Sequence, residues 1–272
     1  MLNSCKTKYP ILMVHGMGFR DRKYFNYWER IPKILKENGA DIYYGHQDSN
    51  GSIETNAYVL KDTVVDILNE TKADKVNIIA HSKGGLDARY MISSLGMAEY
   101  VASLSTISTP HNGSITMDNI LKLPNILIKI GAKLADVWFK ILGDENPDTY
   151  KVINQFTTIA TKKFNENNKD CINVYYQSFA FVMKSPLSDF LMFLPNIVVS
   201  LFEGENDGLL APRATKWTNF RGIYRGNSKR GISHLDEVDL RRHKLSSQRG
   251  DGISDITDFY KSIVEELREM GY

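Results

Sequence analysis

The sequence has few cysteines and lacks a long apolar run. Its two cysteines, Cys5 and Cys171, could pair, but two isolated cysteines make no disulfide framework, so we expect free thiols. The longest nearly apolar stretch, residues 190–202, is interrupted by a proline, an asparagine and a serine and is too short to cross a bilayer. The sequence therefore predicts no transmembrane segment.

Neither sign of charge dominates. The 272-residue chain has 34 Lys and Arg residues against 32 Asp and Glu residues, and the two signs are interspersed. With a net charge of +2 and no long basic stripe, the composition predicts no nucleic-acid partner. The first residues lack the apolar core of a secretory signal, which favours a cytoplasmic protein or a mature chain whose signal was removed.

An apolar run followed at once by a helical pattern occupies residues 76–94, VNIIAHSKGGLDARYMISS. Ser82 lies between the two patterns, at a predicted sharp turn from a strand to a helix. Such a turn strains the serine backbone and tolerates only small residues two positions before and after it. Ala80 and Gly84 occupy those positions, so the pattern is G-x-S-x-G with alanine in the first place. It predicts that Ser82 is the nucleophile of an α/β-hydrolase.

A glycine turn precedes this serine in the chain. The predicted strand at residues 9–14 ends in His-Gly-Met-Gly, residues 15–18, a turn whose backbone N–H groups can point into a cleft. In α/β-hydrolases one oxyanion donor comes from such a loop, and the other is the residue after the nucleophile. The predicted donors are therefore the backbone N–H groups of Met17 and Lys83.

Strand and helix patterns alternate through the first half of the chain. A helical pattern at 52–68 lies between predicted strands at 41–44 and 75–80, and another strand pattern follows at 101–107. This alternation predicts an α/β fold of the α/β-hydrolase type, with a mostly parallel central sheet and helices on both faces. With 42% hydrophobic residues the chain can bury a sizeable core, so residues 1–272 are predicted to form a single domain.

The strand pattern stops over residues 114–170, which we predict to be a helical lid or cap inserted in the domain. One helix in this segment is amphipathic: several lysines lie on one face, and the opposite face contains Ile126, Ile130, Leu134, Val137 and Ile141. Such a helix could cover an apolar cleft in water and open at a lipid surface. The alternative is a helix that packs in place and never moves.

The acid and the base of a triad are expected later in the chain. An apolar run at 197–202, predicted as a late strand, leads into a glycine-containing loop with Asp207. A carboxylate just after a strand end suits the acid of this fold, so Asp207 is the predicted acid, with Glu205 in reserve. His234 follows both and is the predicted base, in the expected order Ser, Asp, His. His111 lies close behind the nucleophile in sequence and is interpreted as a structural or cleft-wall histidine.

Together these residues predict acyl transfer to water. The histidine would take the proton of the serine hydroxyl during attack, while the aspartate would hold the histidine tautomer and stabilise the imidazolium. The two backbone N–H groups would stabilise the tetrahedral oxyanion. This chemistry passes through an acyl-serine and calls for no organic cofactor.

Five stretches of the chain, in this order, resemble the bacterial true lipases, the secreted triacylglycerol lipases of the α/β-hydrolase superfamily. They are YPILMVHGMG, KVNIIAHSKGGLDARY, STISTPHNGS, ENDGLL and SHLDEV. The resemblance implies the roles given above for Ser82, Asp207 and His234, with Met17 and Lys83 as oxyanion donors. The alanine in the nucleophile motif is similar to that of Gram-positive members. The resemblance also implies a secreted protein that acts on lipid esters at a lipid–water interface.

A structural calcium is also implied by the resemblance, since family lipases often hold one through an acid two residues after the histidine. Asp236 stands at that place, and Asp189 or Asp239 could supply a second carboxylate. Calcium needs six to eight oxygen ligands, and Leu240 departs from the pattern where one branch has a side-chain oxygen. The alternative is that Asp236 caps a turn or forms a local salt bridge. The zinc-binding insertion of some Gram-positive lipases is not visible, so we expect no zinc there.

We therefore expect a serine carboxylester hydrolase that acts on lipid esters, with triacylglycerols as the leading substrates. A hydrolase of short-chain or polymeric esters is the nearest alternative, and an acyltransferase would use the same acyl-serine. A noncatalytic lipid-binding protein with this fold would predict a broken triad, whereas this sequence contains an intact one. The sequence leaves the oligomeric state open.

Overall fold

A six-stranded parallel sheet organises the structure. The computed structural model describes residues 3–22, 26–227, 229–246 and 252–272. The strands are β1 (Ile11–Val14), β2 (Ile42–Tyr44), β3 (Val76–His81), β4 (Val101–Ile107), β5 (Tyr175–Phe181) and β6 (Phe220–Tyr224). They lie in the order β2-β1-β3-β4-β5-β6, and every neighbouring pair is parallel. The register pairs Val14 with Ala80 and His81 with Ile107, so the loops after β1, β3 and β4 meet at one edge.

Helices connect these strands. The described helices are α1 (Ile31–Glu37), α2 (Ile53–Thr71), α3 (Gly84–Ser93), α4 (Ile115–Ile120), α5 (Asn125–Ile141), α6 (Thr149–Gln155), α7 (Thr158–Asn167), α8 (Phe193–Glu203), α9 (Pro212–Thr215) and α10 (Ile256–Glu269). Side-chain caps start several of them: the Ser52 side chain accepts from the Thr55 N–H at the start of α2, and Asp255 accepts from Thr257 at the start of α10.

The sheet is buried on both faces, as parallel sheets in α/β proteins are. Successive residues of β1 point to opposite sides. Met13 belongs to a core shared with α1 and α10, whereas Leu12 and Val14 belong to a core shared with α2 and α3. In the first core, the fully buried Trp28 and Tyr260 meet edge to face with ring centroids 5.9 Å apart. With both faces covered, the ends of the strands remain as the place for a site.

Two features of the sheet differ from the sequence prediction. Residues 197–202, predicted as a strand, belong to helix α8. A short apolar run does not distinguish a strand from a helix, and Pro195 lies in the first turn of α8, where proline is compatible with a helix. Strand β6 is not predicted, because its residues at the sheet edge alternate between half-buried and exposed and form no apolar run. The other strands discussed agree within two residues.

The helices α4 to α7 occupy the segment between β4 and β5 where an insertion is predicted. The apolar stripe of α5 faces outward, since Ile126, Leu134 and Ile141 are 64, 68 and 72% exposed. Ala132 is the one buried residue of this helix. Among the described helices, none combines the length and apolar character that a bilayer crossing requires.

Candidate active site

Ser82 lies at a sharp turn between β3 and α3, which confirms the local structure predicted from its motif. Its φ of 52° is in the left-handed region, a strained conformation for a residue with a Cβ. The turn brings α3 close to β1, because a Cβ added to Gly84 would lie 2.6 Å from the carbonyl oxygen of Val14. A Cβ on Gly16 would lie 2.7 Å from Cβ of Ser82. The backbone segments around Ser82 therefore approach so closely that positions 16 and 84 both require glycine.

His234 and Asp207 form a buried hydrogen-bonded pair. Nδ1 of His234 lies 2.8 Å from Oδ2 of Asp207. Oδ1 of Asp207 accepts the backbone N–H groups of Leu209 and Leu210, both at 2.8 Å. Burial by itself raises the pKa of Asp207, but His234 and these N–H groups hold the pKa below its ordinary value. The ionised carboxylate favours the proton of His234 on Nδ1, which leaves Nε2 as the proton acceptor.

Ser82 and His234 line the same cavity, which has a volume of about 430 Å³. Its apolar wall combines the insertion with the loops before and after α8, through Phe139, Ile153, Phe156, Leu191, Met192, Leu209 and Leu210. An apolar space beside a hydroxyl and an imidazole has the chemistry of a site for a fatty acyl group. A larger open groove of about 820 Å³, between β6 and the start of α10, contains none of the predicted site residues.

One predicted oxyanion donor belongs to a residue that lines this cavity, and the other belongs to the residue directly after Ser82. Met17 lines the cavity, in the glycine turn after β1. Lys83 follows Ser82 directly, and its Nζ lies 2.8 and 2.7 Å from the two carboxylate oxygens of Asp87. This buried ion pair, which Asn56 joins at 2.9 Å from Asp87, commits the lysine side chain to the interior. The pair is not predicted above, although its i, i+4 spacing at the start of α3 is a recognisable signal.

A second buried polar cluster, which no local pattern in the sequence predicts, lies behind His234. Nε2 of His81 lies 3.0 Å from Oε2 of Glu237, and Nδ1 of His81 lies 2.6 Å from the Tyr27 hydroxyl. The ring of His81 is 4.4 Å from that of His234, centroid to centroid. Burial, and then the charge of Asp207, raise the pKa of Glu237 well above its ordinary value. Burial lowers the pKa of His81 well below its ordinary value, so the two shifts favour a protonated Glu237 opposite a neutral His81.

These side chains have a spacing that metal sites also show. Ligand atoms of His81, His234 and Glu237 lie within 4.8 Å of one another. However, Nδ1 of His234 is bonded to Asp207, and Nε2 of His81 is bonded to Glu237. A metal bound to these two nitrogens would displace both hydrogen bonds, so we interpret the contacts as a hydrogen-bond network.

The predicted calcium ligands Asp189 and Asp236 are brought together, but by an arginine. Nη2 of Arg241 lies 3.1 Å from Oδ2 of each carboxylate. A guanidinium in this place occupies the oxygens and repels a divalent cation, so the arrangement does not fit the predicted calcium. The local salt bridge that the sequence left as the alternative is what the structure contains. Asp239, the other candidate ligand, pairs with Arg30 at 2.6 Å.

The remaining candidates lie outside the cavity. Glu205, the reserve acid, pairs with Arg225 at the surface, with 2.7 Å between charged atoms. His111 is fully buried, and both of its ring nitrogens contact side chains inside the fold, which agrees with its structural interpretation. Cys5 and Cys171 are free thiols, as expected.

The chain is similar to known lipases along most of its length. A family model described as palmitoyl protein thioesterase matches residues 10–240. Triacylglycerol lipase 2 of Saccharomyces cerevisiae is 30% identical over 93% of this chain and 78% of its own length. A triacylglycerol lipase of Vibrio cholerae is 28% identical over 98% of this chain and 89% of its own.

Solved structures share the fold. The mature form of the Bacillus licheniformis lipase BlEst2 matches 98% of this chain and 94% of its own, with a TM-score of 0.69 and 18% identity. A metagenomic carboxyl esterase, MGS0156, matches 97% of this chain and 76% of its own, with a TM-score of 0.72 and 13% identity. At these identities the likeness concerns the fold alone.

The fold and the relatives define a class of protein, the lipase-like carboxylic ester hydrolases with an α/β-hydrolase fold. Within that class, the chain belongs to the palmitoyl protein thioesterase family, because the family model spans most of its length.

Proposed function

We propose that Ser82, His234 and Asp207 form the catalytic triad of a serine hydrolase of lipid esters. The observation that carries the proposal is the 2.8 Å hydrogen bond between His234 and Asp207, at the wall of the cavity that also holds the strained Ser82. A lone buried histidine–aspartate pair is common in protein cores. A pair that shares an apolar cavity with a serine on a strand-to-helix turn is typical of acyl transfer.

In the proposed reaction, Nε2 of His234 removes the hydroxyl proton of Ser82 while the serine oxygen attacks the ester carbonyl. Asp207 stabilises the imidazolium, and the backbone N–H groups of Met17 and Lys83 stabilise the oxyanion, each by about a hundredfold or more in rate. His234 then protonates the leaving alcohol, and the acyl-serine forms. Water attacks this ester with His234 as base, which releases the fatty acid and restores Ser82. No organic cofactor takes part.

We propose triacylglycerols as the leading substrates. The apolar wall of the cavity supports a long acyl chain, and the relatives in yeast and Vibrio cholerae are named triacylglycerol lipases. Short-chain or polymeric esters are the alternative substrates, since they need less of the apolar wall. Secretion, which the resemblance implies, stays a prediction.

We further propose that the insertion at 114–170 acts as a lid. Phe139 on α5, with Ile153 and Phe156, forms part of the cavity wall, so displacement of these residues would widen the cavity. The exposed stripe of α5 would meet a lipid surface in the open form. A fixed packing helix would instead leave the cavity unchanged at an interface.

A second candidate function is thioester hydrolysis, because the matching family model is described as palmitoyl protein thioesterase. The same acyl-serine would form, with a thiol as the leaving group in place of an alcohol. Comparison of rates on a palmitoylated cysteine peptide and on the matching palmitoyl serine peptide, at equal concentration, separates the two activities.

The experiment that tests the proposal compares wild type, Ser82→Ala and a matched control, Ser262→Ala on α10, on p-nitrophenyl esters of increasing chain length. We expect Ser82→Ala to lose activity by about a thousandfold or more, while its circular dichroism spectrum and melting temperature match those of wild type. Ser262→Ala should keep wild-type activity. Turnover by folded Ser82→Ala at the wild-type rate would overturn the proposal. Preference for the shortest esters would favour an esterase.

A further inference from the structure

The side chain of Arg241 lies in a cage of oxygen atoms next to the loop that carries His234. Its Nη2 donates to Oδ2 of Asp189 and to Oδ2 of Asp236, both at 3.1 Å, and to the carbonyl oxygen of Ser188 at 3.0 Å. Its Nε lies 3.0 Å from Oδ1 of Asp236. One guanidinium therefore contacts four oxygens from two separate segments of the chain.

Two carboxylates and a backbone carbonyl around one point are oxygen donors of the kind that hard divalent cations prefer. Here the cation at that point is the guanidinium of Arg241. The side chains of Asp189 and Asp236 are only 6 and 4% exposed, and that of Arg241 is 25% exposed. A calcium ion could not share these oxygens with the guanidinium without strong repulsion in so buried a place.

This cage holds the segment around His234. The hydroxyl of Ser233, the residue before His234, donates to Oδ2 of Asp189 at 2.6 Å. The backbone N–H of Ser233 donates to Oδ2 of Asp236 at 3.1 Å, and that of Asp236 donates back to the Ser233 hydroxyl at 3.1 Å. The carboxylates that contact Arg241 thus hold Ser233, directly before His234, and join it to Asp236, two residues after His234.

The same cage reaches the cavity wall. Oδ1 of Asp189 accepts the backbone N–H groups of Leu191 and Met192, at 3.0 and 3.3 Å. Both of these residues line the cavity that contains Ser82 and His234. Arg241 therefore connects the loop of His234 to the apolar wall that faces it.

We propose that Arg241 is a positioning residue that serves as a built-in cation, in the place where a metal would otherwise steady the His234 loop. The inference rests on the proposed function insofar as His234 is the base. It follows that this protein needs no divalent cation to hold its site, and that removal of the guanidinium leaves two buried carboxylates without a counter-charge.

The test uses wild type, Arg241→Lys, Arg241→Ala and the matched control Arg242→Ala, whose native side chain is about half exposed and pairs with Glu29 outside this cage. We expect a chelator and added calcium chloride each to leave the kcat and the melting temperature of wild type unchanged. Arg241→Ala should lose about tenfold or more in kcat with little change in KM, because the base is misplaced and the acyl cavity remains. Arg241→Lys keeps one charge and should give an intermediate kcat.

Millimolar guanidinium chloride should restore part of the kcat and melting temperature of Arg241→Ala, and leave Arg242→Ala unchanged. Isothermal titration calorimetry of wild type with calcium chloride should show no binding of calcium. This measurement, with the melting temperatures, tests the inference even if no ester is hydrolysed, so its outcome is separate from that of Ser82→Ala. Calcium binding by wild type, or a kcat of Arg241→Ala equal to that of Arg242→Ala, would overturn the inference.

Discussion

At the scale of single residues, Glu237 is a buried carboxyl group whose pKa lies well above its ordinary value. It is fully buried against His81 and near Asp207, and both burial and that negative charge raise its pKa. The folded protein therefore keeps a proton that the unfolded chain releases above about pH 4.3. Stability from this group is present below that pH and falls as pH rises through the folded pKa.

Glu237→Gln removes this titration, while its amide can still donate a hydrogen bond to His81. We expect the free energy of unfolding of the variant, minus that of wild type, to increase as pH rises from 5 to 9. His81, with its lowered pKa, contributes the opposite slope below about pH 6.5 in both proteins, so its effect cancels in the difference. Urea unfolding across this range measures the quantity.

A matched control for this prediction is Glu99→Gln, since Glu99 is exposed. The free energy of unfolding of Glu99→Gln, minus that of wild type, should not change across the same pH range. If the Glu237→Gln and wild-type curves run parallel from pH 5 to 9, Glu237 is not protonated in the folded state.

At the scale of elements, helix α5 exposes large apolar side chains to solvent instead of packing them against the rest of the protein. Leu134 and Trp138 are 68 and 59% exposed. If these side chains enter a lipid surface, each contributes about 1.5–3 kcal/mol to binding there. Their removal should therefore impair action at an interface far more than it impairs folding or dissolved-substrate chemistry.

The double variant Leu134→Ser with Trp138→Ser should lose about tenfold or more in activity on emulsified long-chain triacylglycerol. Its activity on dissolved p-nitrophenyl butyrate should stay near that of wild type, and its free energy of unfolding should change by about 0.5 kcal/mol or less. Lys133→Ser, an exposed position on the same helix, is the control and should change none of these. Equal losses on the two substrates would instead favour a fixed packing helix.

At the scale of the whole molecule, the structure predicts a gradient of local stability from the sheet to the insertion. All residues of β3 and β4 are buried, whereas α5 buries only Ala132. Local opening costs less where few apolar contacts break. Hydrogen exchange followed by mass spectrometry should therefore find β3 and β4 the slowest to exchange and α5 much faster. Equal protection of α5 and β3 would contradict a movable insertion.

Much of the fold and the turn at Ser82 follows from local sequence. The strand at 101–107 is a continuous run of apolar and small residues, and the strand at 76–81 is mostly apolar, so their patterns predict both strands closely. Ala80 and Gly84 identify the turn because the requirement for small residues lies within five positions of chain. The pairing of His234 with Asp207 was predictable from their order in this fold, and the 2.8 Å contact agrees with it.

Only the tertiary structure decided the contacts between distant segments of the chain. Arg241 and Asp189 are 52 positions apart, and His81 and Glu237 are 156 positions apart, so no local pattern links them. The choice of helix for residues 197–202 and the outward face of α5 also depended on which neighbours were available for packing. Local sterics and periodicity act within a few residues and are readable in one sequence. Pairing of charges and burial of faces depend on three-dimensional neighbours, which only the folded chain supplies.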